Sequence, residues 1–207
     1  MLASGEGIAN APHASAPPLF PTFLRLEGRR VLIVGGGAVA CGKLTALLDA
    51  GARVIVVAPY IRPALEQPGV ALVRAPFSPA HLEGIWFVVA AAPPEVNRVV
   101  ALHAERRGIF VNAVDDRGSA SAYAAGVVRR GALTLAISTG GEAPALAGLL
   151  REALEAVIPC DLAVWLEEAR AARAAWKVSG VPMGERRPLL LQALNRLYEF
   201  PGQERAP

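Results

Sequence analysis

Gly35, Gly36, Gly37 and Ala40 stand between an apolar run at residues 31–34 and a helical-period set, Ala40, Leu44, Leu47 and Leu48, that closes at Gly51. Strand, tight turn and helix in that order can hold the pyrophosphate of a dinucleotide. Gly35 makes the turn, Gly37 lets backbone N–H groups approach the phosphates, and the small Ala40 lets helix and strand pack closely. The helix adds the positive end of its dipole. Glycine-rich turns also serve packing alone, so the placement between strand and helix carries this reading. A second candidate is Asp115, which ends a strand expected at 109–114. Its carboxylate can act as a general base or proton relay, although Asp-Asp-Arg-Gly is equally good turn or cap chemistry. A third is Ser138-Thr139-Gly140-Gly141, just before Pro144 and an apolar helical run. Backbone N–H groups at that helix start can bind a carboxylate or phosphate, or these residues simply end a strand.

The elements that position these groups follow from periodicity. A second strand is expected at 52–57, a third at 70–74, a fourth at 85–91 and a fifth at 109–114. Pro94 suits the first residue of a helix running to 107 and capped by Gly108. Strands and helices alternating in this way imply βαβ units, a Rossmann-like parallel sheet and right-handed crossovers. Ligands of such sheets sit beyond the carboxyl ends of the strands, so Gly35 to Gly37, Ala58, Ala92 and Asp115 are expected along one edge. The acidic residue that usually follows the glycines by about 20 positions is replaced by Val57-Ala58-Pro59. Arg62 lies nearby and suits either a 2′-phosphate or solvent, so the residues alone leave NAD against NADP open.

Beyond Asp115 the pattern changes. Residues 119–128 and 132–138 read as extended segments around Arg129-Arg130-Gly131, a candidate antiparallel pair, and a helix is expected over 145–157. From 160 onward the chain reads as helical. Trp165, Ala169, Ala172 and Trp176 share one face of a helix ending by Ser179-Gly180. A last helix is expected from Pro188 to Pro201, with Leu190, Leu194, Leu197 and Tyr198 inward. The expected divisions are a flexible arm at 1–18, a dinucleotide domain at 19–118, a small α+β region at 119–159 and a helical domain at 160–207.

Bulk properties narrow the class. The 207 residues suffice for one large domain or for one plus a smaller appendage. A 53% hydrophobic content with only 6% aromatics suits strands buried on both faces. The +3 net charge is mild, and no dense Lys/Arg stripe with interleaved aromatics points to nucleic acid. Cys41 and Cys160 form no Cys-x-x-Cys pair, and His13, His81 and His103 are scattered, so neither a disulfide framework nor a metal cage is indicated. The first residues lack the positive start and apolar run of a signal peptide, and no apolar stretch reaches the roughly 18 residues of a membrane span, so a cytoplasmic protein is expected.

Taken together, FPTFLRLEGRRVLIVGGGAVACGK, the NAVD that ends at Asp115, and ISTGGEAPALAGLLREALE make the chain resemble the precorrin-2 dehydrogenase and sirohydrochlorin ferrochelatase family, the dehydrogenase half of siroheme synthases. The resemblance covers residues 20–159 and continues loosely into the helical tail. It implies NAD as cofactor, a tetrapyrrole substrate, a homodimer formed through the region after the sheet, and Fe2+ as substrate where a member also chelates. Under it Asp115 is the catalytic residue. Gly35, Gly37, Ala38, Val39, Ala58, Pro59, Ala92 and Val114 are the expected cofactor contacts. Asn112, Arg117, Arg129, Arg130, Ser138, Thr139 and Gly140 are the expected substrate contacts, with solvated charge the alternative for the arginines. The chain departs from the family at Ala92-Pro93-Pro94, where many members carry polar turn residues, at Gly42-Lys43, and around Ala125-Gly126. The expected reaction is oxidation of precorrin-2 to sirohydrochlorin; the alternative is a non-enzymatic NAD-binding module that regulates a partner.

Overall fold

The computed structural model describes residues 18–199. Most of the arm expected at 1–18 therefore lies outside the described residues, as do His13, Pro201 and the side chains of Leu197 and Tyr198. The chain divides into two compact units, the first ending at Tyr123 and the second beginning at Ala124.

The first unit is built on a five-stranded parallel sheet: β1 (Arg30–Val34), β2 (Arg53–Val57), β3 (Ala71–Val73), β4 (Phe87–Ala90) and β5 (Phe110–Ala113). The spatial order is β3-β2-β1-β4-β5, so the chain reverses its direction of travel across the sheet at β1. Helix α1 (Ala38–Asp49) connects β1 to β2, and α2 (Pro94–Glu105) connects β4 to β5. Successive side chains of a strand point to opposite faces, and the core divides accordingly. Val31, Ile33, Val54, Val56 and Val89 pack with Ala40, Leu44 and Leu47 of α1. On the other face Leu32, Val34, Val88, Ala90 and Val111 pack with Val100 and Ala104 of α2. Each fully buried Leu or Val contributes about 1.5–3 kcal/mol, which fixes the strand register and thereby the carboxyl edge.

The second unit opens with an antiparallel hairpin of β6 (Gly126–Arg130) and β7 (Leu133–Ile137), which packs on α3 (Pro144–Val157); α4 (Leu162–Ser179) and α5 (Met183–Glu199) complete it. Three expectations shift here. Arg129 and Arg130 lie inside β6, paired with Thr134 and Leu133, and only Gly131-Ala132 turns. Residues 119–125 form no strand, and Arg117–Ser119 is a single 3₁₀ turn. Helix α5 begins at Met183, five residues before Pro188, so the proline is interior. It removes one N–H from the ladder near the helix start, where Arg186 meanwhile donates from Nε and Nη2 to the Val181 carbonyl at 3.0 and 2.9 Å. Trp165, Ala169, Ala172 and Trp176 are half-buried along one face of α4, which ends at left-handed Gly180.

Candidate nucleotide site

The carboxyl edge of the sheet is tied together by backbone hydrogen bonds. Gly35 N–H donates to Val57 O at 2.9 Å, Ala91 N–H to Val34 O at 2.8 Å, and Val114 N–H to Ala90 O at 2.9 Å. Gly35, Ala58, Ala92, Val114 and Asp115 therefore lie along this one edge, where the strand order reverses, and Gly37, Ala38 and Val39 rise from its centre as the exposed first turn of α1. Pro59 follows Ala58 at the exposed rim.

The three adjacent glycines have different reasons to be glycine. Gly35 has φ +124°, and a Cβ there would run into the Ala91 carbonyl oxygen. Gly36 is packed equally hard, since its Cβ would meet the Tyr60 carbonyl oxygen and lie 2.8 Å from Ile61 Cα. Gly37 differs: its φ of −90° suits any residue, and an added Cβ would meet nothing within 4 Å. The fold itself places no demand for glycine at Gly37, so the missing side chain leaves room for something outside the chain. The helix it begins has no side-chain cap and no acidic residue in its first turn. Its first N–H groups point at that space, the arrangement suited to a phosphate. The residues present thus fit a pyrophosphate.

Two features of this edge carried no periodic signal in the sequence. Asn97, only 2% exposed on α2, accepts the Ala92 N–H at 3.0 Å through Oδ1. It supplies from the helix the polar contact that Ala92-Pro93-Pro94 lacks. Arg62 N–H donates to the Gly36 carbonyl at 3.0 Å, which fixes this exposed residue beside the glycine turn.

Asp115 is exposed and has φ +56°, the one non-glycine residue in the left-handed region among the described residues. That conformation costs an L-residue roughly 1–2 kcal/mol, although aspartate tolerates it better than most. The capping role that could have explained Asp115 belongs to its neighbour. Asp116 accepts from Ser119 N–H at 3.2 Å and from Ser119 Oγ at 2.8 Å, and Arg98 Nε lies 4.0 Å away. The Ser119 hydroxyl, more than the Ser119 N–H and Arg98, holds the Asp116 carboxyl below its ordinary value against a partial opposing effect of burial. Asn112 is buried in β5 and donates from Nδ2 to the Ala122 carbonyl at 3.0 Å, and Arg117 is the exposed first residue of the 3₁₀ turn.

The remaining candidates belong to the second unit. Arg129 is exposed on β6. Arg130 is engaged by Glu155, at 3.1 Å from Nη1 to Oε1, and Glu155 also takes Arg151 at 2.7 Å. Ser138 Oγ accepts the Gly140 N–H and Thr139 Oγ1 accepts the Ala143 N–H, both at 3.1 Å, so these hydroxyls cap the turn before α3. A crevice of about 400 Å³ lined by Glu83, Ile85, Arg107 and Ile109 lies at the amino ends of β4 and β5. Substrates of open α/β sheets bind at the opposite ends of the strands, so the glycine-lined edge has the stronger claim. No group of three or more His, Cys, Asp or Glu could hold a metal among the described residues, and no described helix is long and apolar enough to cross a membrane.

A parallel sheet with its glycine turn at the point of reversal defines a nucleotide-binding protein, and the chain belongs to the family described as putative NAD(P)-binding, which matches residues 22–125. Residues 130–156 match the central region of sirohaem biosynthesis proteins. The chain is 47% identical over 172 residues to siroheme synthase 1 of Aeromonas salmonicida, covering 81% of the chain and 37% of that protein. It is 40% identical over 180 residues to the siroheme synthase of Photorhabdus laumondii, covering 84% and 38%. It thus spans under two fifths of the length of these relatives. The solved precorrin-2 dehydrogenase SirC shares the fold, with a TM-score of 0.63 at 24% identity over 84% of this chain and 88% of that one.

Proposed function

We propose that the protein oxidises precorrin-2 to sirohydrochlorin with NAD+ as hydride acceptor. The observation that carries this reading is the left-handed, exposed Asp115 on the same sheet edge as the open space at Gly37. The similarity to siroheme synthases across both units supports the substrate class. Gly37, Ala38 and Val39 would hold the pyrophosphate through backbone N–H groups, and Ala58, Pro59, Ala92 and Val114 would border the rest of the cofactor. When bound, NAD+ supplies a two-electron hydride sink. The chain has two tasks: to hold the macrocycle against that edge and to take up the proton the substrate loses. We assign the second to Asp115 Oδ, whose carboxylate has no hydrogen bond or ion pair to any described residue to compete with a ring proton.

Arg117 and Arg129, with Ser138, Thr139 and Gly140, are proposed to receive substrate carboxylates. Arg130 and Asn112 complete that set, with Glu155 and the Ala122 carbonyl as their present partners. Exposed Leu146, Leu149, Leu150 and Val157 on α3 support association with a second copy, which measuring the molar mass of the purified protein by light scattering tests. Asp115→Asn tests the chemistry, because asparagine also tolerates the left-handed backbone. We expect kcat for precorrin-2 oxidation to fall on the order of 10²- to 10⁴-fold with NAD binding retained; turnover at the parental rate refutes the assignment.

A further inference from the structure

We infer that Asp116 is a positioning residue for Asp115, clamping the Arg117–Ser119 turn so that the preceding residue is held in its left-handed conformation at the sheet edge. This rests on the reading of Asp115 as proton acceptor. The loop from Val114 to Tyr123 leaves β5 and doubles back onto it. At its start, Val114 N–H donates to Ala90 O at 2.9 Å. At its end, Ser121 and Ala122 N–H groups both donate to Val111 O at 2.9 Å, and Ser121 Oγ accepts from Val111 N–H at 2.8 Å. Asn112 Nδ2 adds its bond to Ala122 O. The feet of the loop are therefore fastened to two neighbouring strands, the start to β4 and the end to β5.

Between the feet, Asp115 makes no bond that would hold its own strained backbone. The restraint comes from the next residue. The two oxygens of Asp116 take the two donors of Ser119, and the Tyr123 hydroxyl donates to the Arg117 carbonyl at 3.4 Å from the far side. A strained conformation persists only where its surroundings over-determine it. Without the Asp116 bonds, Asp115 can relax to an ordinary right-handed or extended backbone and swing its carboxylate away. A displacement of about 1 Å can cost on the order of 10²-fold in rate.

Asp116→Ala, Asp116→Asn and Ser119→Ala are compared in the parental chain and in an Asp115→Asn background. We expect D116A to lower kcat on the order of 10²-fold with the KM for NAD unchanged, and to speed amide hydrogen exchange across residues 114–119 in the ligand-free protein. D116N should recover most of the rate, because its amide can still accept from Ser119 N–H and donate to Ser119 Oγ. Ser119→Ala, which deletes one bond and keeps the fold's other ties, should lower kcat in the same direction by less, and it carries the test if D116A does not fold. In the Asp115→Asn background D116A should cost nothing further in rate, whereas a merely structural role would lower kcat and melting temperature alike in both backgrounds. Parental kcat in D116A and Ser119→Ala, unaltered exchange, or losses that multiply with that of D115N overturn the inference while leaving the Asp115 assignment intact. Parental turnover by D115N alone overturns both.

Discussion

Replacing Gly37 by alanine separates a residue required by the fold from one required by a ligand. An added methyl at Gly37 meets nothing, and φ is −90°. Alanine is a poorer helix cap than glycine by about 0.5 kcal/mol, while the stiffer unfolded chain returns roughly 0.4–1 kcal/mol. The free protein should melt within a degree or two of the parent. Binding is another matter, because the methyl projects into the space where the phosphate approaches. Loss of one hydrogen bond to a charged group costs about 1.5–3 kcal/mol, a roughly 10- to 150-fold weaker Kd. At NAD+ equal to 100 times the parental Kd, binding stabilises the parent by about 2.7 kcal/mol, or some 5–10 °C at about 2–4 °C per kcal/mol. A 30-fold weaker variant retains only about 0.9 kcal/mol, or roughly 2–4 °C. Gly36→Ala is the control, since its methyl collides with the Tyr60 carbonyl; it should cost about 1–3 kcal/mol or more without any ligand. Differential scanning with and without NAD+, together with titration calorimetry, measures both quantities. Parental NAD+ affinity in G37A, or a free G37A protein as unstable as G36A, would refute the reasoning.

Two further outcomes follow from side-chain bonds at the same edge. Asn97→Leu keeps the shape of the buried residue and leaves the Ala92 N–H without its acceptor, so chemical denaturation should register a loss of about 1–3 kcal/mol, and calorimetry a weaker grip on NAD+. Asp116 has a folded value below its ordinary 3.8, so its stabilising contribution is complete above 3.8 and is lost as pH falls through the lower folded value. The stability gap between the parent and D116N, measured by urea titration, should therefore hold constant near neutrality and narrow only below pH 3.8; a gap independent of pH down to acid unfolding would contradict the Ser119 bonds as its origin.

Much of the first unit was legible because its physics is local and repetitive. Residues 31–34, 52–57 and 85–91 are near-continuous apolar runs, and a run buried on both faces has one way to fold. Their carboxyl ends follow from parallel order alone, which is why Gly35, Ala58, Ala92 and Asp115 could be placed on one edge in advance. The hairpin was harder. Arg129-Arg130 looked like a loop, but a two-stranded ribbon can keep charged residues inside a strand, with Arg129 exposed and Arg130 held by Glu155. Pro188 read as a helix start because proline favours that position, whereas α5 accommodates it five residues inside. Asn97, Ser121 and the bonds of Asn112 had no such signal, since single side chains that meet a distant backbone group leave no period. Asp116 did leave one: Asp followed three residues later by Ser is a capping pattern, and it was overshadowed by the aspartate beside it.

The same contrast separates scaffold from chemistry at this edge. Gly35, Gly36 and Asn97 are each explained by an atom of the chain that they touch or avoid, so their substitution should be felt in the empty protein. Gly37 and Asp115 are not explained in that way. One leaves space that no described residue fills, and the other sustains an unfavourable backbone conformation while its carboxylate bonds to nothing described. Features that cost the fold something, or gain it nothing, and that stand on one edge of one sheet are where an external cofactor and substrate would account for the residue types found. Substitutions at those two positions should therefore alter ligand affinity and turnover far more than melting temperature, the reverse of the pattern expected at Gly36 and Asn97.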